Sequence, residues 1–424
     1  MSISKQLHTV TLDTDKCKGC VACMKRCPTE AIRVRNGKAQ IHYEKCIGCG
    51  ECVRICPHNA KKASFDDFDI IFDKKYKYRI ALPAPSLYGQ FEHLDNLHYL
   101  AEGLLKIGFD DIFEVARGAE LVSEYTRKLF ESGKLKTPVI STACPAIVEL
   151  IMIRFHNLKD RLLNLLTPAD VSAKIAREEA VKKTGYKPEE IGVFFISPCP
   201  AKVHALKTGL CENNPVVDGV LSSSECYFRL LPAMKKVENP RDLSEIGVFG
   251  ISWAFSGGEA ASLLKDRYLA ADGMENVLNV LKELENGKLA EGIEFIELNA
   301  CVGGCVGGVL NVENPFVAKA KLMSQRKYLP ISKNHLASYN RPDEFYVWEK
   351  APELQDVMRL DENLDVAMEK LQRINRITEL LPALDCGSCG APSCRAFAMD
   401  VAEGTAKLTD CHRIDLDKIL TLKG

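Results

Sequence analysis

From Tyr78 onward, apolar runs of strand length alternate with amphipathic stretches of helical length, and this alternation predicts an α/β domain. YRIALPA at 78–84 reads as a strand entering a loop, and HYLAEGLLKIGF at 98–109 as an amphipathic helix stopped at Gly108. DIFEVA at 111–116 reads as a second short strand, followed by a helical run to Phe130 and a stop at Gly133. TPVIST at 137–142 is a strand that turns at Cys144-Pro145 into a helix from Ala146. IGVFFISPCP and GIEFIELNAC repeat the design, so three buried strands each deliver a thiol just past their C-terminal ends, where open α/β sheets place ligands. Residues 64–77 read as an acidic, aromatic link. Beyond Val312 the pattern is that of a connecting region punctuated by Pro315, Pro330 and Pro342. Helical spacing resumes in LDENLDVAMEKLQRINRITELLP, a packed connector.

Length and composition narrow this only slightly. A chain of 424 residues accommodates about two to four domains. Its 46% hydrophobic and 27% charged content is ordinary for a globular protein. A formal net charge of -1 argues against a nucleic-acid partner held through phosphates. No stretch has the uninterrupted apolar length of a membrane span, the best being broken at Glu149, and the first residues show no signal-peptide core. The compositional anomaly is the 18 cysteines. In a reducing cytoplasm, the expected location, metal ligation is the natural use of so many thiols.

Their spacing is specific. Cys17, Cys20, Cys23 and Cys27-Pro28 repeat as Cys46, Cys49, Cys52 and Cys56-Pro57, both with the spacing C-x2-C-x2-C-x3-C-P of two-cluster bacterial ferredoxins. In that pattern Cys17, Cys20, Cys23 and Cys56 hold one 4Fe–4S cluster, and Cys46, Cys49, Cys52 and Cys27 the other, with Gly19 and Gly48 supplying tight loops. A zinc site wants four ligands in two C-x2-C pairs rather than eight in this order. Near the other end, Cys386, Cys389, Cys394 and Cys411 have the spacing C-x2-C-x4-C-x16-C. That segment resembles the small four-cysteine Fe–S domains appended to several redox proteins, and zinc competes for it because four thiolates suit either metal. The predicted domains are a ferredoxin-type α+β domain at 1–70, a two-lobed α/β domain at 71–350 and a small, mostly helical Fe–S domain at 351–424.

The central segment is organised around ELNACVGGCVGG at 297–308. Cys301 and Cys305 are four apart, which on a helical turn puts both sulfurs on one face, and the glycines let backbone approach something bulky. STACPA at 141–146 and SPCPAK at 197–202 each add one cysteine beside a proline, which completes the four thiolates a cubane needs. These three motifs resemble the signature segments of the FeFe-hydrogenase active-site domain over roughly residues 78–312. The resemblance implies an H-cluster: a 4Fe–4S cubane joined to a two-iron subsite with carbonyl and cyanide ligands. It implies that Cys144, Cys199, Cys301 and Cys305 hold the cubane, with Cys305 bridging to the two irons. Lys202 would hydrogen-bond a cyanide and is the candidate catalytic residue, while Pro85, Ser86, Ala143, Ser197, Ser256 and Asn299 would line the cofactor pocket. H2 and protons are the implied substrates. The implied partners are maturation proteins for the cofactor and a redox partner, ferredoxin-like or signalling.

The departures from that family are informative. Catalytic members carry two adjacent cysteines in the first motif, the earlier passing protons, and here that position is Ala143. Ser197 and Asn299 stand where methionines are usual, and Tyr125, Thr126 and Leu129 fall where glutamates continue the proton path. General acid–base delivery is commonly worth ~10²–10⁴ in rate, so slow turnover is expected rather than a missing cofactor. The combination resembles the sensory FeFe-hydrogenases. Glu225, Cys226, Cys211 and His204 are alternative relays, though each also reads as an ordinary structural residue. Two rivals remain: a catalytic hydrogenase with another proton route, and an electron-transfer scaffold that never acquires the two-iron unit.

Overall fold

The computed structural model describes residues 8–414 apart from 290, 355, 356 and 358. The N-terminal part forms two small antiparallel ladders: β1 (Val10–Leu12) pairs with β4 (Lys61–Ala63), and β2 (Ile32–Arg35) with β3 (Lys38–Ile41). Two one-turn helices, Ala22–Lys25 and Glu51–Arg54, carry the third cysteine of each run, Cys23 and Cys52. Gly19 and Gly48 both have positive φ, as their tight loops require.

The central domain holds two parallel sheets, one for each lobe of the expected two-lobed α/β domain. One has the order β6-β5-β8-β9, made of β5 (Tyr78–Pro83), β6 (Asp111–Ile112), β8 (Ile191–Ser197) and β9 (Gly219–Ser222). The other has the order β10-β11-β7, made of β7 (Val139–Ile140), β10 (Tyr268–Asp272) and β11 (Phe295–Asn299). β8 is buried along its whole length, as a central parallel strand with both faces covered must be. Its side chains alternate between cores: Val193 and Phe195 enter one, Phe194 and Ile196 the other. Each such aromatic contributes about 2 kcal/mol of burial. Val139 and Phe295 of the second sheet join the core of Val193 and Phe195, so the two lobes share packing. Ile140, Ile296 and Leu298 face a third core.

Several elements differ from the sequence expectations. DIFEVA pairs over only two residues, because Glu114 precedes a helix from Val115 to Glu131 and accepts bonds from Tyr88 Oη (2.7 Å) and Ser244 Oγ (2.7 Å). Residues 64–77 are no free link: Phe68 and Ile71, on a 3-10 turn, are buried against Phe109 and Phe194. The region beyond Val312 contains a helix, Pro315–Gln325, with proline in its first turn and Asn314 Oδ1 accepting from Phe316 N (2.9 Å). Pro315 thus starts an element instead of breaking one. The helix at Leu364–Leu380 forms as the spacing predicts and packs on Cys394–Ala402, with Ile374 and Phe397 buried between them.

The C-terminal helices dock on the N-terminal domain. Asp400 receives Arg33 Nε (2.8 Å) and Arg35 Nη2 (2.6 Å), and Val34 N donates to Gly390 O (2.9 Å). The N-terminal domain also meets the central one, where Ile47 shares a core with Ile147 and Ala201 and Arg26 Nη1 pairs with Glu275 (3.1 Å), so it touches both of the other parts.

Candidate metal centre

Because all strands within each of these two sheets are parallel, their C-terminal ends gather on one edge, and those two edges face one cavity. Ala84, Pro85 and Ser86 reach it after β5, Pro198 and Lys202 after β8, Ala143 after β7, and Glu297, Asn299 and Cys305 from β11 and its following loop. Cys144 and Cys199 each occupy the residue before a helix that opens with proline. The thiols of Cys144, Cys199, Cys301 and Cys305 are electrostatic neighbours of one another. Burial pushes the Cys305 thiol up to about 12, with Lys202 pulling against it. Burial likewise pushes Cys301 and Cys199 upward. Protons are therefore poor occupants of these sulfurs' lone pairs only once a cation compensates their charge, which is the condition metal ligation supplies. Among the described residues, no three His, Cys, Asp or Glu side chains lie close enough to share a single metal ion.

The segment between Cys301 and Cys305 is not a helical turn. Gly303 and Gly304 have φ of +82° and +90°, and only Cys305–Gly307 forms a short 3-10 turn. The glycines admit neighbouring backbone: a Cβ on Gly304 would sit 2.5 Å from Ser256 N, and one on Gly308 would sit 2.2 Å from Pro198 O. The cysteine loop is thus clamped directly onto the other motifs.

Behind the cavity wall lies a polar assembly. Lys202 Nζ donates to Ala143 O (3.1 Å), and Ala143 N donates to Ser141 Oγ (3.1 Å). Ser141 Oγ donates in turn to Glu259 Oε2 (2.6 Å). Glu259 and Glu297 are both buried and both line the cavity. Burial, then the Glu297 charge, pushes the Glu259 carboxyl up to about 8. Glu297 accepts from Gly257 N (2.9 Å), Ala260 N (2.9 Å) and Asn299 Nδ2 (2.8 Å). Those three donors favour its anion, so the proton of this buried pair resides on Glu259. Ser86 Oγ is fully buried at the cavity with no hydrogen-bond partner among the described residues, an orphan donor facing the space a bound group would fill.

The accessory cysteines are similarly arranged. Cys27 Sγ accepts from Ala31 N (3.2 Å) and Cys56 Sγ from Ala60 N (3.2 Å), the same contact in each repeat. In the C-terminal segment, Arg35 Nη1 donates to Cys389 O (2.7 Å) and Lys25 Nζ to Pro392 O (2.8 Å). All 18 cysteines are free thiols, and Cys386 is exposed. No helix among the described residues is long and apolar enough to cross a membrane.

Comparison with known proteins gives the family. The model for the iron-only hydrogenase large subunit, C-terminal domain, matches residues 77–242 and 255–309, more than half of the chain. The chain belongs to that family. A 4Fe-4S dicluster domain matches residues 9–57 and an Fe-S cluster model residues 381–413, so this hydrogenase-family domain is flanked by iron–sulfur domains on both sides. Iron hydrogenase 1 of Clostridium pasteurianum is 22% identical over 376 residues, 72% of this chain and 65% of that protein. The NADP-reducing hydrogenase subunit HndD of Solidesulfovibrio fructosivorans is 23% identical over 264 residues, 49% of this chain and 44% of its own length. The human nuclear prelamin A recognition factor is 22% identical over 291 residues, 58% of this chain and 62% of that protein. The chain thus spans less than two thirds of each of these relatives. Among solved structures, a variant of apo [FeFe]-hydrogenase HydA1 from Chlamydomonas reinhardtii superposes with a TM-score of 0.50 at 14% identity, covering 67% of this chain and 96% of that one, which shows a shared fold.

Of the pocket residues that the family resemblance implies, Pro85, Ser86, Ala143, Lys202 and Asn299 line the cavity. Ser197 and Ser256 do not. Ser197 Oγ turns back to Cys199 O (2.9 Å), and Ser256 N is spent on Gly303 O (3.0 Å). Tyr125 stacks on Tyr346, Thr126 Oγ1 bonds Val122 O, and Leu129 packs in the core, because the cavity-facing stripe of their helix runs through Val115 and Ala119 instead. Among the alternative relays, Cys226 is sealed in an apolar core, Cys211 packs beside another, and Glu225 pairs with Arg229 at 3.2 Å. His204 Nε2 lies 3.6 Å from Glu149 on the far side of its helix from Lys202's carbonyl contact. Sequence reasoning missed Glu259 and Glu297 as functional groups. The signal was there: Glu297 interrupts the apolar run FIELN, where a carboxylate needs a reason to be buried.

Proposed function

We propose that this chain is a slow hydrogen-reactive iron–sulfur protein whose hydrogen occupancy or redox state is its output, a sensory rather than high-turnover role. One observation carries the reading: the cavity has Cys305, Lys202 and the orphan Ser86 hydroxyl around it, yet its wall at the proton-delivering position is the methyl of Ala143. The donor set suits an H-cluster, with Cys144, Cys199, Cys301 and Cys305 as thiolates for the cubane and Cys305 shared with a two-iron subsite. When bound, that group supplies Lewis-acidic iron and a basic amine for heterolytic splitting or formation of H2.

The chain's own residues do the rest. Lys202, tethered to the Ala143 carbonyl, presents its ammonium to anionic ligands, a contact strengthened by the apolar surroundings. Ser86 offers a hydroxyl from the opposite wall. Glu259 stores a proton at its carboxyl and Ser141 holds that carboxyl in place, so proton exchange has a buried donor without a thiol in front of it. The other clusters would carry electrons, and a redox or signalling partner would dock near the C-terminal cluster, where Cys386 is exposed.

Infrared spectroscopy of the matured protein under hydrogen and then inert gas tests this. Carbonyl and cyanide bands that shift with the gas are expected. Absent bands would leave the electron-transfer scaffold, a reading kept open by the human relative, whose name mentions no hydrogen chemistry at the same 22% identity as the clostridial enzyme. Turnover as fast as that of cysteine-bearing enzymes would remove the sensory reading.

A further inference from the structure

The two halves of the N-terminal domain repeat one another closely: Cys27-Pro28-Thr29-Glu30-Ala31-Ile32 aligns with Cys56-Pro57-His58-Asn59-Ala60-Lys61. The repeat is structural too, since Ala31 N and Ala60 N each donate to the cysteine four residues before, at 3.2 Å. Its last position is buried in both copies, with Ile32 and Lys61 each 2% exposed. An isoleucine there is ordinary core. A lysine there is not, because an ammonium taken out of water is costly unless something anionic compensates it. Lys61 begins β4, opposite Leu12, and its Nζ finds no hydrogen-bond acceptor among the described residues. Its electrostatic neighbours include thiols. Its charge acts on Cys23, Cys46 and Cys52, opposing the burial that pushes those thiols up, and on Cys56, which its own backbone N–H also approaches. These four thiols belong to both cysteine sets of the domain.

We propose that Lys61 is an electrostatic control built between the two ferredoxin-type clusters, a buried fixed cation that raises their reduction potentials. The inference rests on the reading that the eight N-terminal cysteines hold two 4Fe–4S clusters. Such clusters bear net negative charge that grows on reduction, so a nearby cation stabilises the reduced form more than the oxidised one. Burial removes the water and salt that would otherwise screen it. The relay would then sit at a higher potential than an isoleucine in both halves would give, retaining electrons beside the central domain rather than passing them on at once.

The test uses the full chain with its iron–sulfur clusters assembled and without the two-iron unit, so that hydrogen chemistry plays no part. Midpoints of the N-terminal clusters are read by EPR-monitored potentiometric titration of the parent, Lys61→Ile, Lys61→Met and Lys61→Arg proteins, each checked for iron and sulfide content. Lys61→Ile copies the other half of the repeat, so it is expected to fold and load. Its midpoints are expected to fall enough to change the oxidised-to-reduced ratio roughly tenfold at fixed potential, about 59 mV for a one-electron couple. Lys61→Met should match it, and Lys61→Arg should stay near the parent value. Fully loaded Lys61→Ile protein with unmoved midpoints overturns the proposal. So does Lys61→Arg shifting as far as Lys61→Ile, since packing and not charge would then be responsible. A parent protein that shows no N-terminal cluster signals at all fails the underlying cluster reading instead, and the proposal falls with it.

Discussion

On the proposed reading, Ala143 and Glu259 together set how protons reach the cavity. Ala143→Cys restores a transferable proton at the wall and is expected to raise hydrogen turnover of the matured protein, by up to about 10²-fold, measured by steady-state assay. No change would show that proton supply does not limit the rate. Glu259→Gln keeps the shape and the bond to Ser141 but removes the stored proton, so turnover should fall by about 10²-fold or more. The same substitution has a stability signature. Burial raises the Glu259 carboxyl from an ordinary value of 4.5 to about 8, so the folded state holds a proton that the unfolded state has released. Its contribution is complete below about pH 4.5 and is lost as pH rises through 8. Thermal melts of the parent between pH 5 and pH 8 should therefore drop more steeply than those of Glu259→Gln, and equal slopes would contradict the assignment.

At the scale of elements, two contacts set the architecture. Gly304 lies against Ser256 N with left-handed φ, so Gly304→Ala should displace the Cys305 loop and lower the iron bound by the central domain, read by metal analysis, while the flanking domains keep theirs. Asp400 carries the ion pairs that seat the C-terminal helices, and its loss leaves the Arg33 guanidinium buried with backbone carbonyls but no carboxylate. Asp400→Asn should weaken that docking by about 3 kcal/mol and open the segment before Leu364 to limited proteolysis. The sequence made much of this readable. The repeat of prolines after cysteines, the fully apolar IGVFFIS and the spacing of the helix at Leu364–Leu380 all found their elements. What it hid was relational. Val139–Ile140 and Ile191–Ser197 look alike as strands, and nothing local says that they join different sheets, because register and partner are set by packing at long range. Ser197 fell on the right strand but turned to its own backbone, and Glu259 drew no notice because SGGEA is indistinguishable from a surface loop until Ser141 is brought beside it.

Across the whole molecule, the ferredoxin-type domain touches both of the others: Arg35 and Lys25 meet the C-terminal cysteine segment, and Ile47 packs with Ala201 of the central domain. Electrons bound for an outside partner should pass through that shared domain. Cys386→Ser is therefore expected to slow reduction of an external protein acceptor while leaving hydrogen–deuterium exchange at the central site intact, two rates measurable on one preparation. Equal loss of both would mean that the segment supports the fold rather than the current. The cavity itself is a joint product of distant stretches, with Ser86 supplied early, Ala143 and Lys202 midway, and Cys305 long afterward. A nascent polypeptide emerging from the ribosome has no complete receptacle until that last loop is out and both lobes have closed on each other. On the proposed reading, insertion of a two-iron group would be a post-translational event into a finished shell, and the shell would have to be stable while it waits.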